Sequence, residues 1–251
     1  MRARHRHFKF GAVANAKLVL DSRYINQSDN TEVSPWEDRS GNGNDVSQAT
    51  SANRPTFQTA EQGGNGIVRF DGSNDVLTRN EIGISSPVGG TMVLYAKRGT
   101  GAGGNAINTI IEVPEYFRII YTDSSNLFPV NGYNFIGYAD NGTSTVDPSQ
   151  GSTVSAGVFE LCSFQYNGGT ASNKDNYKVY VSGSSATVTQ GSSGASALGR
   201  GSTVGIGARG TAAQHSVADI GFVGVFGVDM TDPLRKRCEH ANAFAFKHAC
   251  N

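Results

Sequence analysis

Trp36-Glu-Asp-Arg-Ser-Gly-Asn-Gly-Asn-Asp45, then Arg54-Pro-Thr-Phe57, then Ile67-Val-Arg-Phe-Asp-Gly-Ser-Asn-Asp-Val-Leu77: the reading of these three runs decides the fold. The first run is turn chemistry. Gly41 and Gly43 accept positive φ, and Asn42, Asn44 and Asp45 can bond their own backbone. The last run reads as a strand over 67–70, a tight Asp71-Gly72 turn, and a return through Val76-Leu77. The single Trp beside such a loop is expected to anchor it in the core, and Phe70 is expected to be buried with it.

Outward from this stretch the chain reads as strands and turns. Ala16–Leu20 is the first strand, followed later by Thr91–Lys97, by 107–112 and 116–121 separated at Pro114, and by Tyr133–Tyr138. Asp147–Ala156 reads as loop. Val158–Tyr166 alternates, with Phe159, Leu161, Ser163 and Gln165 on one face and Val158, Cys162, Phe164 and Tyr166 on the other, interrupted by Glu160. Tyr177, Val179 and Val181 share a face of the next strand, and the Ser/Gly-rich segment 183–202 reads as a surface loop. Thr203–Gly207 and Ala218–Val228 are the last strands. Thr231-Asp232-Pro233 opens a helix whose narrow apolar face is Leu234, Cys238, Ala241 and Ala245.

The chain resembles the LamG-like domains of bacteria and phages, which belong to the concanavalin A-like jelly rolls. The likeness is carried by Trp-x-Asp-x-Ser-Gly-Asn-Gly-Asn-Asp, Arg-Pro-Thr-Phe and Val-Arg-Phe-Asp-Gly-Ser-x-Asp-x-Leu. It continues in the paired strands ending at Tyr180-Val-Ser-Gly183 and in the strand-then-helix ending, over about residues 17–248. Met230 stands where the family usually has Leu, and Leu234 where it often has Glu. The resemblance implies a two-sheet antiparallel jelly-roll sandwich over residues 16–251, with a C-terminal helix over 231–249. It implies little about function, because this fold hosts lectins, hydrolases and structural modules.

Bulk properties narrow the classes. The 251 residues suit one large β-sandwich, the 32 glycines demand many turns, and the formal net charge is zero. A chain without net charge is no general magnet for nucleic acid, and no apolar run approaches the ~20 residues of a membrane helix. Three cysteines, Cys162, Cys238 and Cys250, are odd in number and widely spaced, which argues against a disulfide framework. Residues 1–10 contain no apolar h-region, so a Sec-type signal peptide is not expected.

Catalytic motifs are missing. Gly99/Gly101/Gly104 and Gly205/Gly207/Gly210 match Gly-x-Gly-x-x-Gly, but neither set opens a helix, and both read as turn glycines. No strand offers the carboxylate pair of a glycosidase: Glu160 stands alone, and Glu112 and Glu115 straddle Pro114. There is no nucleophile elbow and no zinc-type histidine pair. His215 reads as a solvated loop residue, and His240 and His248 suit the helix dipole. Asp71 and Asp75, with Asn74, are weak candidates for Ca²⁺, an expectation the family resemblance raises slightly; shaping the turn is the favoured role. Tyr116, Tyr133 and Tyr138 are candidate stacking aromatics for a surface glycan.

Residues 1–15 form a basic arm. Arg2, Arg4, Arg6 and Lys9 face no acid before Asp21, and Phe8 and Phe10 lie among them. Fixing ten residues costs ~1–2 kcal/mol each, while exposed ion pairs return only ~0–1 kcal/mol. The arm is therefore expected to order only on a partner that supplies acidic groups and a socket for Phe8 and Phe10. Two function classes follow. The first is a non-enzymatic phage virion component, on capsid, head fibre or tail, present as a homo-oligomer or in many copies and assembled in the host cytoplasm against capsid or tail protein. The second is a glycan-binding module for surface attachment. A hydrolase ranks third.

Overall fold

The structure is a computed structural model. It describes residues 15–84, 89–99, 107–114, 117–121, 133–138, 145–146, 148–150, 156–169, 173–186, 188–190 and 203–246. The arm expected at residues 1–15 therefore lies, but for Asn15, outside the described residues.

Two antiparallel sheets face each other. The first contains β1 (Ala16–Asp21), β2 (Thr31–Glu32), β3 (Thr56–Gln62), β4 (Asn65–Asp71), β6 (Gly90–Arg98), β12 (Phe159–Tyr166), β13 (Tyr177–Val181), β14 (Ser184–Ala186) and β17 (Val217–Phe226). Their order is β14-β13-β12-β6-β17-β4-β3-β2, and β1 continues beyond β4 along the same side of β17. The second contains β5 (Leu77–Arg79), β7 (Asn108–Val113), β8 (Phe117–Tyr121), β9 (Tyr133–Tyr138), β10 (Thr145–Val146), β11 (Pro148–Gln150), β15 (Val188–Gln190) and β16 (Val204–Ile206), in the order β15-β11-β9-β8-β7-β16-β5 with β10 on β9. The chain is a jelly-roll sandwich closed by one C-terminal helix, α1 (Asp232–Ala245).

The main core lies between the sheets. Leu18, Leu20, Val68, Phe70, Met92, Leu94, Cys162 and Phe164 meet Ile111, Val113, Phe117, Ile119 and Ile206 there. Trp36 belongs to the same core, and both it and Phe70 are buried, as their places beside the loop predicted. The first sheet is also covered outside, which explains why β6 is apolar almost throughout. On that side Val19, Ile67, Val93, Tyr95, Phe159, Leu161 and Phe222 pack against Cys238, Ala243 and Phe246. The Tyr95 ring stacks between Phe159 and Phe246, at centroid distances of 5.2 and 4.6 Å.

The opening motif is a clamp on the first strand. The Asp38 carboxylate accepts from Val19 N (2.9 Å), Ser40 N (2.8 Å), Ser40 Oγ (2.6 Å) and Asn44 N (3.0 Å). Asp45 Oδ1 accepts from Asp38 N, and the Asn42 and Asn44 amides donate to the Ala16 and Lys17 carbonyls. Arg54 donates to the Gln48 and Ala49 carbonyls, which fastens the second run.

Four expectations are corrected. The Asp71-Gly72 turn does not fold 67–77 back on itself: β4 pairs β17 in the first sheet, whereas Leu77 starts β5, which pairs β16 in the second. The turn carries the chain between sheets, because Phe70 and Leu77 both belong to the core between them. Segment 147–156 contains β11, and 183–202 contains β14 and β15, short polar strands made by pairing rather than by periodicity. The helix expected over 231–249 is observed from Asp232 to Ala245, where the Asn65 amide donates to the Ala245 carbonyl (2.7 Å). The expected face Leu234, Cys238, Ala241 and Ala245 does pack on the outer cluster, and Arg235, Glu239, Asn242, Ala243 and Phe246 are buried beside it. Arg235 lies 3.4 Å from the Tyr180 ring centroid and donates to Glu239 (2.5 Å), so a stacked, paired guanidinium occupies an apolar position.

The second glycine set is structural. Gly207 has φ +79°, and a Cβ there would lie 2.0 Å from Phe70 Cδ1. Gly210 N donates to Glu112 Oε2 (3.0 Å). In the first set, Gly99 N donates to the Val217 carbonyl, and Gly101 and Gly104 lie outside the described residues.

Candidate functional site

Alternation along the strands sets the site. Tyr95, Ile67 and Phe159 point to the helix-bearing face of the first sheet, so Lys97 and Arg69, two residues on from Tyr95 and Ile67, point the same way. The registers then align one row across six strands: Glu32 opposite Thr56, Thr56 opposite Arg69, Arg69 opposite Asp219, Asp219 opposite Lys97, and Lys97 opposite Phe159.

The rung is a chain of charge pairs. Arg69 grips Asp219 with two parallel bonds, Nε to Oδ1 at 2.7 Å and Nη2 to Oδ2 at 2.9 Å. Lys97 Nζ reaches Asp219 Oδ2 at 2.5 Å and lies 5.0 Å from the Phe159 ring centroid. Arg69 also pairs with Glu61 (3.3 Å) and donates from Nη1 to Gln58 Oε1 (3.3 Å). Asp219 holds the Arg69 guanidinium firmly in its charged form, against the opposing effect of burial. At the far end Glu32 accepts from Ser51 Oγ (2.6 Å) and Arg54 Nη1 (3.2 Å), and the Ser51 hydroxyl is the main cause that lowers its pKa.

Glu32, Thr56, Arg69, Asp219 and Lys97 of the rung line a groove of about 640 Å³. Its end wall comes from the strand ends and turns at Asp71, Asp75, Gly99, Gly157 and Val217. Asp75 is 7% exposed, and its pKa is pushed up to about 6 by burial, with the Asp71 charge adding to the rise and the Asp71 N–H and His215 opposing it. Asp219 is shared by Arg69 and Lys97, Arg69 also meets Glu61, and Glu32 is paired with Arg54, so the groove offers alternating donors and acceptors without a strong field of either sign. That arrangement suits a hydroxyl-rich, uncharged ligand better than a phosphate or a polyanion.

The residues singled out from the sequence are placed as follows. Arg2, Arg4, Arg6, Phe8, Lys9 and Phe10 lie outside the described residues. Asp71 and Asp75 come together, but on turn duties: Asp71 Oδ1 accepts from Ser73 N (2.8 Å), and Asp75 Oδ2 accepts from Asp71 N (2.9 Å). Among the described residues no three His, Cys, Asp or Glu side chains converge as a metal centre. His215 is half-buried rather than solvated, with Nδ1 3.2 Å from the Asp75 carbonyl and Nε2 3.1 Å from that of Ala212. Tyr133 is buried, its hydroxyl donating to the Ala96 carbonyl, and offers no stacking surface. Tyr116 and the side chain of Tyr138 lie outside the described residues. The rung residues themselves escape sequence reading, since their only signal is single charges in otherwise apolar strands.

No family model and no curated protein matches the sequence. Solved structures do match the fold. The binding domain of botulinum neurotoxin serotype D is similar over 90% of this chain and 51% of its own, with 12% identity and TM-score 0.56. The receptor-binding domain of the mosaic serotype C/D covers 93% and 51%, with 11% identity and TM-score 0.58. The serotype D ligand-binding domain in complex with N-acetylneuraminic acid covers 95% and 52%, with 12% identity and TM-score 0.55. The chain spans about half the length of these structures. At such identities the likeness is one of fold. Among the described residues no helix is long and apolar enough to cross a membrane.

Proposed function

We propose that the chain is a non-enzymatic jelly-roll module displayed on a phage particle, and that its groove contacts a surface glycan. The observation that carries the glycan reading is the charge-paired rung Glu32-Thr56-Arg69-Asp219-Lys97 lining an open groove. Sugar hydroxyls both donate and accept, so one ring can bridge the carboxylate of Asp219 and the cations beside it. Support from outside the chain is the likeness in fold to a ligand-binding domain solved with N-acetylneuraminic acid. The particle reading rests on the LamG-like opening and the basic arm.

A glycan array probed with the full chain tests the first part. Binding to a defined set of neutral glycans is expected, with loss in Arg69→Ala and Lys97→Ala and no change on adding calcium or chelator. Equal binding by both variants refutes the groove as the site. Incubation with the same glycans should release no reducing ends; turnover abolished by Glu160→Gln would overturn the non-enzymatic reading. Deleting residues 2–10 should leave melting unchanged while preventing incorporation into particles; full incorporation of the truncated chain refutes the docking role of the arm.

A further inference from the structure

We propose that the groove takes an extended chain of uncharged, equatorially linked pyranoses laid across the strands, one ring to a strand, with its charged contacts at every second ring. The proposal rests on the glycan reading of the groove and adds the length and shape of the ligand.

The row sets the length. Glu32, Thr56, Arg69, Asp219 and Lys97 are successive Cα partners on β2, β3, β4, β17 and β6, and all of them line the groove. Directly paired residues project from the same face of a sheet. Neighbouring strands lie about 4.8 Å apart, so the row from Glu32 to Lys97 spans about 19 Å. A single pyranose covers about one strand spacing of that row. β2 is the last strand on its side of the sheet, so among the described residues no further strand stands in the way of a longer chain.

Exposure sets the repeat. The side chains of Glu32, Arg69 and Lys97 are 45, 38 and 22% exposed, whereas Asp219, between the last two, is 6% exposed. Thr56, between the first two, carries no charge. The charged groups that a ligand can reach therefore stand on every second strand, about 10 Å apart. An equatorially linked pyranose chain is extended and turns each ring over relative to the last. It presents the same hydroxyls to one side at every second ring, in step with the row. An axially linked chain coils out of register within a few rings.

The contact groups are fixed before any ligand arrives. Asp219 holds Arg69 by two bonds and Lys97 by a third, and Glu32 is held by Ser51 Oγ and Arg54 Nη1. Capacity is left over, because an ammonium has three donors and a carboxylate about four acceptor sites. Other linear ligands match the row less well. An extended peptide advances about 3.3–3.6 Å per residue, out of step with the strands. A polyanion meets the carboxylates of Glu32 and Asp219 within the row.

The full chain is titrated calorimetrically with cello-, manno- and chito-oligosaccharides, from monosaccharide to hexasaccharide, and with the malto-series as the coiled control. In at least one extended series the affinity should climb about threefold or more per ring up to the tetrasaccharide or pentasaccharide, then level off. Maltotetraose should bind at least about tenfold more weakly than the matching extended tetrasaccharide. Glu32→Ala, at one end of the row, should weaken the tetrasaccharide and leave the disaccharide unchanged, whereas Arg69→Ala, at its centre, should weaken both. A monosaccharide that binds as tightly as its tetrasaccharide, with binding still lost in Arg69→Ala, overturns this proposal and leaves the groove reading intact. Maltotetraose binding as tightly as the extended chains does the same. If no extended series binds, this proposal falls; if every glycan on the array also binds Arg69→Ala and the parent equally, the groove reading falls with it.

Discussion

Replacing Asp38 by alanine tests how the opening motif holds the fold. One carboxylate accepts four hydrogen bonds, three of them from backbone N–H groups of Val19, Ser40 and Asn44. Val19 and Asn44 are buried, so two of the three amides cannot turn to water when the carboxylate goes. Each stranded buried donor costs about 1–3 kcal/mol, and the bonds at Ser40, nearer solvent, add less. The sum is about 3–5 kcal/mol. For a chain of this size each kcal/mol moves the midpoint by about 2–4 °C, so Tm should fall by about 6–20 °C. Asp38→Asn keeps an acceptor oxygen and should lose about half as much. Calorimetry and urea unfolding at neutral pH measure both, with an unchanged m-value as the sign that the native fold persists. Native-state hydrogen exchange at the Val19 amide should accelerate in parallel. A Tm within about 2 °C of the parent for Asp38→Ala would refute the reasoning, since the loop would then be held by Asn42, Asn44, Asp45 and Arg54 without the Asp38 carboxylate.

Asp75 makes stability depend on pH. Its native pKa, about 6, exceeds the ordinary ~3.9, so the folded chain holds a proton that the unfolded chain has released in between. Stability from this group is therefore greatest below about pH 4, falls as pH rises towards about 6, and is level above; Asp75→Asn should remove that fall, as urea midpoints across pH 4–7 would reveal. In the helix, Glu239→Ala strands the buried Arg235 and should cost about 3–5 kcal/mol by urea unfolding, while the double change Arg235→Met, Glu239→Leu should regain most of it. If the double variant is as unstable as the single one, the pair contributes through specific geometry rather than through compensated charge.

Much of the architecture is legible in the chain because local chemistry suffices for it. The loop between Trp36 and Asp45 follows from residues that bond their own neighbourhood, and the alternation of Val158–Tyr166 correctly separates Cys162 and Phe164 in the main core from Phe159 and Leu161 under the helix. The polar strands β11, β14 and β15 lack any such signature, because pairing with β9 and β13 makes them strands. On the helix the apolar face Leu234, Cys238, Ala241 and Ala245 is legible and packs as read. Beside it Arg235 and Glu239 are buried because Tyr180 stacks under one and each satisfies the other, a solution that residue types do not announce.

By itself, the sequence determined most of the turns, the strand periods and the burial of Trp36 and Phe70, while the sandwich was what its LamG-like resemblance implied. These rest on interactions between residues close in the chain or on the need to hide apolar surface. Only the tertiary structure decided where the chemistry gathers. Glu32, Arg69, Lys97 and Asp219 come from distant strands. Their meeting depends on strand order and register, which long-range pairing sets and no short stretch of residues encodes.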